Sequence, residues 1–386
     1  SAEVPAPGGS YVEGSTGPAR FINPVLALSQ ADQDLTMVIY SGLMRALPDG
    51  RYIPDLAENY TISADGTTYT FTLLRSATFH DGRPVTASDV LYTVSAAQNP
   101  DVKSPHRADW EGVEVTSPDP YTVVFKLPNA YAPFIENATL GILPKHLWQT
   151  VTPESFPFSP LNTHPIGSGP YKVDDMRADA SGAPPRFDLV PFDNFTLGEP
   201  NISQLSFVFF PTEDALVRAV ALGQVDAVAG VTPSQLSAFK REDLLLATAP
   251  LPRVFGIFFN QSHNAVLADA AARQALEESI DKRQIVESVL SGFGDVLDST
   301  IPAGILGLAD PSEPHEFVMP EHVLSASTTD RVALAQATLR KGGWSLSSTT
   351  NQWIKNKNPL TLKLATADEP ELVATANAVA SDWRKA

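Results

Sequence analysis

The seven histidines are the residues best able to do chemistry, and they are scattered, at positions 80, 106, 146, 164, 263, 315 and 322. Only His315 and His322 lie close together. With Glu313, Glu316 and Glu321 beside them, they could ligate a divalent metal as in a metal-dependent hydrolase. The segment Asp310–Glu321 carries three prolines and many charges, so a solvated loop is the better reading. His80-Asp81-Gly82 looks catalytic at first glance, yet Asp and Gly are the residues a tight turn requires, and turn chemistry accounts for the triplet. Gly167-Ser168-Gly169 suggests a phosphate cradle until Pro170 is added, because proline removes a backbone donor where a phosphate loop needs one. Glu277 and Glu278 read as surface residues of a helix. The sequence has no His-Glu-x-x-His, no Gly-x-Ser-x-Gly and no Gly-Lys-Ser/Thr loop. It also has no cysteine, which excludes disulfides, thiolate metal sites and cysteine nucleophiles. Neither catalysis nor a cofactor is expected.

Bulk properties narrow the partners. A formal net charge of −17 argues against nucleic acid or an anionic membrane, which require a basic face, and leaves a peptide, sugar, cation or neutral solute. At 386 residues the chain is too long for one core, so two or three domains are expected. The apolar runs fall far short of the ~20 residues that cross a bilayer. Ser1–Ser10 is small, Pro- and Gly-rich and lacks an apolar signal core; it fits a spacer left after removal of a targeting segment, and Ser1-Ala2 fits a cloning remnant equally well.

Around these residues, 33 prolines and 23 glycines divide the chain into short elements. A strand is expected over Gly9–Gly14 and a helix over about Ala31–Leu43. Tyr69, Phe71 and Leu73 alternate with threonines after an Asp65-Gly66 turn, and Thr86 with Asp89 resembles a capping box. Val113 and Val115 pair across a Ser117–Pro120 turn with Tyr121, Val123, Phe125 and Leu127. From Pro165 the pattern becomes β and α in alternation. Leu205–Phe210, a helix capped by Asp214 and the strand Val225–Ala229 make a βαβ unit with a parallel pair. A strand over Val254–Asn260 leads to one helix over about Ala268–Leu290, and a strand through Leu360, Leu362 and Leu364 leads to an amphipathic helix from Glu369 to Ala386.

Six motifs then stand in series. They are Asp65–Leu73 leading into Ala77–Val90, His164-Pro165-Ile166-Gly167-Ser168-Gly169-Pro170-Tyr171, Gly223-Gln224-Val225-Asp226, Phe258-Phe259-Asn260, Arg273–Arg283, and Ile53-Pro54-Asp55 before Leu56-Ala57-Glu58-Asn59. In this order and spacing the chain closely resembles the family 5, oligopeptide-type, extracytoplasmic solute-binding proteins of ABC transporters, from Asn23-Pro24 to Trp383.

The resemblance implies an α/β, two-lobed periplasmic-binding-protein-like fold of type II with an inserted α+β subdomain. Residues 1–44 and 165–250 would form lobe I, 45–164 the insertion, and 251–386 a second lobe that is incomplete here. It implies a monomer that binds peptides or related solutes between lobes closing about a hinge and delivers them to ABC permease subunits. It also implies a periplasmic or extracellular location, with a lipoprotein tether through a removed N-terminal segment as one form of anchorage. Three segments are expected to line the ligand site: Phe21, Asn23, Pro24, Val25 and Leu26, where Pro24 leaves the Asn23 amide free to bond; Gly230, Val231 and Thr232 at a strand end; and Phe258 with Asn260. Core packing is the competing reading of Phe258, and a turn that of Gly230. An extracytoplasmic sensor or chaperone-like interaction module is the alternative function. With its last βα unit unfinished, the chain is expected to bind a family ligand more weakly than a longer version.

Overall fold

The alternation of Tyr69, Phe71 and Leu73 with threonines commits one face of a strand to the interior and the other to solvent. The computed structural model describes residues 6–48, 50–177, 185–228, 236, 238–239, 244–247, 254–297 and 327–386. The chain divides into two units, Ser1–Val231 with Ala238–Glu242 and Thr232–Ser237 with Asp243–Ala386.

The first unit begins with β1 (Ser10–Thr16) and α1 (Gln30–Ile39), then a small hairpin of β2 (Met44–Ala46) and β3 (Tyr52–Pro54). β4 (Ala57–Ile62), β5 (Thr68–Leu73), α2 (Ala87–Gln98), β6 (Glu114–Asp119) and β7 (Thr122–Lys126) follow. The four strands form an antiparallel sheet in the order β4-β5-β7-β6, with Tyr69 opposite Phe125 and Phe71 opposite Val123. Their buried rings gather with Trp110 and with Phe134 of the short helix α3 (Phe134–Asn137). Each such buried ring contributes roughly 1.5–3 kcal/mol. Thr86 and Asp89 do cap α2, since the Thr86 N–H donates to Asp89 Oδ2 at 2.9 Å. The other Asp89 oxygen accepts the Lys145 N–H at 2.9 Å, tying in α4 (Lys145–Trp148).

A second sheet joins β8 (Tyr171–Arg177), β9 (Arg186–Pro191), β10 (Gln204–Phe210) and, after α5 (Glu213–Ala221), β11 (Ala227–Val228) to the first strand of the chain. Its order is β11-β1-β10-β9-β8. β1 runs parallel to both β10 and β11 and therefore sits between them. The expected βαβ crossover exists, but its two strands are not each other's neighbours; local sequence cannot reveal a partner some 190 residues upstream. Gly14 lets α5 approach β1, because a Cβ there would lie 2.7 Å from Leu216 Cδ1. Thr212 caps α5 by accepting the Ala215 N–H, and Asp214 lies in the first turn instead of at the cap. Similarly, α1 stops at Ile39 and not Leu43: the Ile39 carbonyl accepts from the Gly169 N–H at 2.8 Å, which turns the chain out of the helix.

In the second unit, α6 (Ala270–Glu278) and α7 (Lys282–Leu290) replace the single helix expected over 268–290. Asp281 breaks it. Its Oδ1 accepts the Gln284 N–H at 3.0 Å as an N-cap, and its Oδ2 pairs with Arg331 of α8 (Thr328–Lys341). Its own N–H donates to Asp382 Oδ2 at 3.0 Å, on α9 (Pro370–Lys385). A small core of Ala272, Ala275, Ala335, Leu339, Trp344 and Trp353 sits with a meander of β12 (Ser345–Leu346), β13 (Trp353–Lys355) and β14 (Asn358–Pro359). The expected strands Val254–Asn260 and Leu360–Leu364 form no ladder among the described residues. β14 ends at Pro359, a residue without an N–H to donate.

Candidate functional site

Open α/β sheets present ligand-binding groups at the carboxyl ends of parallel strands. Here that edge is made by the ends of β1, β10 and β11, where the Gly17 N–H donates to the Phe210 carbonyl at 3.1 Å. The loop from Gly17 to Ser29 leaves this edge for α1. It is pinned from several sides by groups the sequence did not single out. The buried Asp32 carboxylate accepts the Arg20 N–H at 2.7 Å and the Phe21 N–H at 2.9 Å through one oxygen. It closes a capping box with Ser29 through the other. Ser104 Oγ donates to the Val25 carbonyl at 2.6 Å, and the Ile22 N–H donates to the Asn162 carbonyl at 2.9 Å.

This arrangement corrects the expectation that Asn23 keeps a free amide. Asn23 is fully buried; its Oδ1 accepts the Val25 N–H at 2.9 Å and its Nδ2 donates to Asn162 Oδ1 at 3.1 Å. Pro24, Val25 and Leu26 are buried with it, while Phe21 is half-buried and Arg20 exposed. Gly230, Val231 and Thr232 lie outside the described residues, as do His315 and His322. In the second unit, Phe258 is 96% exposed and packs into no core among the described residues. Phe259 stacks on Trp383 at 6.4 Å. Exposed Asn260 organises a turn, its Oδ1 accepting the His263 N–H at 3.2 Å. What could have signalled Asp32 and Asn162 was a polar residue inside an otherwise apolar helical face or loop, a pattern that only becomes specific once its partners are known.

The His80 and Gly167–Pro170 motifs meet. The His80 Nδ1 accepts from the Gly167 N–H at 3.3 Å, and Nε2 faces the Gly169 carbonyl at 3.1 Å, which fixes a neutral ring with its proton on Nε2. Burial pushes its pKa down from 6.5 to about 4, against the smaller opposing effect of the Gly169 carbonyl. The glycines are required by space: a Cβ on Gly167 would lie 2.0 Å from the Ile39 carbonyl oxygen, and one on Gly169 2.6 Å from the Ile39 carbonyl carbon. Next to it, Asp81 accepts from the His146 ring at 2.6 Å. Burial raises the Asp81 carboxyl, but the hydrogen bonds from His146 and the Arg83 N–H outweigh it and hold the group below its ordinary value. These residues join the four-stranded sheet's turn to the start of β8. They do structural work, which agrees with the turn reading of His80-Asp81-Gly82.

One carboxylate pair remains. Burial, and secondarily the charge of Asp34, pushes the Glu13 carboxyl up; burial likewise raises Asp34, partly offset by a hydrogen bond from Gln30. Among the described residues no group of three or more His, Cys, Asp or Glu is placed to hold a metal ion, and no helix is long and apolar enough to cross a membrane.

Comparison with known proteins gives one consistent answer. Residues 51–386 match the family model described as bacterial extracellular solute-binding proteins, family 5, middle region. Oligopeptide-binding protein AppA of Bacillus subtilis is 28% identical over 300 residues, which is 77% of this chain and 54% of AppA. The chain thus spans about half the length of that relative. Among solved structures, the ABC transporter substrate binding protein CtaP of Listeria monocytogenes superimposes with a TM-score of 0.73 at 24% identity, over 98% of this chain and 72% of CtaP. AppA of Bacillus subtilis in complex with a nonapeptide gives 0.63 at 24% identity, over 92% and 68%. These likenesses show the two-lobed fold of such binding proteins.

Proposed function

From membership of family 5 of the bacterial extracellular solute-binding proteins, to which this chain belongs, we propose that it is the solute-binding component of an ABC importer. It would take peptides or related small solutes by hinged closure of two lobes, a solute shifting the population toward the closed form. The observation that carries the reading is the family match over residues 51–386. The nonapeptide bound by AppA supports peptide as the solute class. Peptides held mainly through their backbones can vary in side chain, so broad specificity is expected.

Within this reading, residues 1–44 and 165–250 serve as lobe I, 45–164 as the inserted subdomain and 251–386 as part of lobe II. Lobe I offers Phe21 with Gly230, Val231 and Thr232, backed by Asn23, Pro24, Val25 and Leu26. Phe258 and Asn260 belong to the ligand-facing set of lobe II. The protein acts outside the cytoplasm as a monomer, without catalysis, free or with a lipid tether as one form of anchorage, and docks on permease subunits.

A thermal-shift screen tests the proposal. A bound solute at a hundred times its dissociation constant stabilises the native state by about 2.7 kcal/mol, a readily measured rise in melting temperature. A flat response across peptide pools, sugars and nickel complexes would remove it.

A further inference from the structure

A strand on the rim of a sheet leaves half of its N–H and C=O groups without a ladder, and folded chains usually protect such rims with charges, proline or bulges. The four-stranded sheet has β4 and β6 at its rims. β6 is protected by Pro118 and by a register shift between Thr116 and Asp119. In the five-stranded sheet, β8 carries four charged residues and a shift between Val173 and Asp175, and β11 has only two residues. β4 differs. Its register shift lies at its start, between Ala57 and Asn59, and from Asn59 to Ile62 it is regular and contains neither proline nor charge. The Ser63 N–H donates to the Thr68 carbonyl at 2.9 Å, so by alternation Thr61 and Asn59 bond to β5 while Tyr60 and Ile62 turn their N–H and C=O groups outward. Among the described residues no other segment meets those groups. Their side chains are open too: Tyr60 is 37% and Ile62 48% exposed, although Tyr60 stacks on the buried Phe71. Glu58 and Asp65 flank them without an ion pair among the described residues, and 52–74 contains no Lys or Arg.

We propose that the outer edge of β4 takes an extended segment of another protein as a fifth strand, one with apolar residues at alternate positions and Lys or Arg at its ends. The outward groups of Tyr60 and Ile62 supply the main-chain hydrogen bonds, and alternate apolar side chains of the added strand lie across from these two residues. Basic ends complement Glu58 and Asp65, a small gain in affinity that steers the encounter and selects the partner. A second copy of this chain fits less well, because pairing β4 with itself brings Glu58 and Asp65 of both copies to one seam and opposes two net charges of −17. The edge shares no residue with the solute-binding set, so this proposal stands apart from that reading.

The test uses the whole chain and two fluorescent probes: the peptide Lys-Thr-Val-Thr-Val-Thr-Lys, blocked at both ends, and the same peptide N-methylated at both valines, which keeps its side chains but removes the donors facing β4. Fluorescence anisotropy gives the affinity of each. The wild type is expected to bind the unmodified peptide about tenfold more tightly than the methylated one, the value of one or two main-chain hydrogen bonds. Ile62→Lys, an exposed substitution that places a charge on the edge, should weaken the unmodified peptide about tenfold and leave the melting temperature unchanged. No binding of the unmodified peptide overturns the proposal, as does equal binding of the two probes or an affinity that survives Ile62→Lys. Displacement of the probe by free tripeptides would assign it to the solute site and overturn the proposal while leaving solute binding in place. A wild-type dimer in sedimentation that Ile62→Lys separates would make the occupant a second copy and overturn the proposed partner.

Discussion

Leu205–Phe210 and Val254–Asn260 start from the same signal, an uncharged apolar run of strand length. The first became β10, between β1 and β9, with Phe207 and Phe209 buried. The second has no ladder among the described residues, and Phe258 stands in solvent. The difference is not propensity, since both are rich in β-branched and aromatic residues. It is the presence of a partner: β10 gains a parallel register with β1 from Ser10 to Thr16 and an antiparallel one with β9. A strand sequence states a requirement for pairing, and only distant chain can meet it.

If partnered regions carry the stability, the largest effect should come where two backbones meet without room. Gly167→Ala places a methyl against the Ile39 carbonyl and is expected to cost about 4 kcal/mol, read as a lowered denaturation midpoint. A loss under 1 kcal/mol would mean that the junction of α1 and the Gly167–Gly169 segment yields easily, and the contrast would weaken.

A smaller, pH-dependent effect should come from His80. In the unfolded chain the ring takes a proton below about 6.5, but the native ring stays neutral down to about 4. The unfolded state therefore binds the proton first. Stability should be complete above pH 6.5 and fall as the pH drops toward 4, by up to about 3 kcal/mol at a slope of at most about 1.4 kcal/mol per unit. Denaturation of wild type and His80→Gln across this range measures it; parallel pH profiles would show that the ring is not the titrating group.

The smallest effect should be at Phe258. Replacement by Ser is expected to change stability by no more than about 0.5 kcal/mol. A cost of about 3 kcal/mol, the scale of a buried ring, would show that the segment is packed and erase the comparison.

What was legible in the sequence follows the same line. Turns and caps are local, so Asp65-Gly66, Thr86 with Asp89, and the alternation of Tyr69, Phe71 and Leu73 were placed from the residues alone. The motif series likewise pointed to the family. The central position of β1 was not legible, because its pairing with β10 and β11 spans nearly two hundred residues. Nor was the helix break at Asp281, where apolar periodicity continued and a side chain bonding to Gln284 overrode it. The sequence could not show that Asn162 would take up the Asn23 amide, nor that Asp32 would gather the Arg20 and Phe21 N–H groups, since each depends on a contact between separate segments.

Exposure of Gly256, Ile257 and Phe258 within Val254–Asn260 has a colloidal consequence. The stretch is uncharged, aromatic and free of proline, the composition from which stacked strands assemble between molecules. Mutual repulsion from a net charge of −17 opposes such encounters at neutral pH. Added salt screens that repulsion, and acidification toward the isoelectric point near 4.7 removes it. Phe258, a ring left in solvent, is thereby placed to decide how concentrated a solution of this chain stays clear.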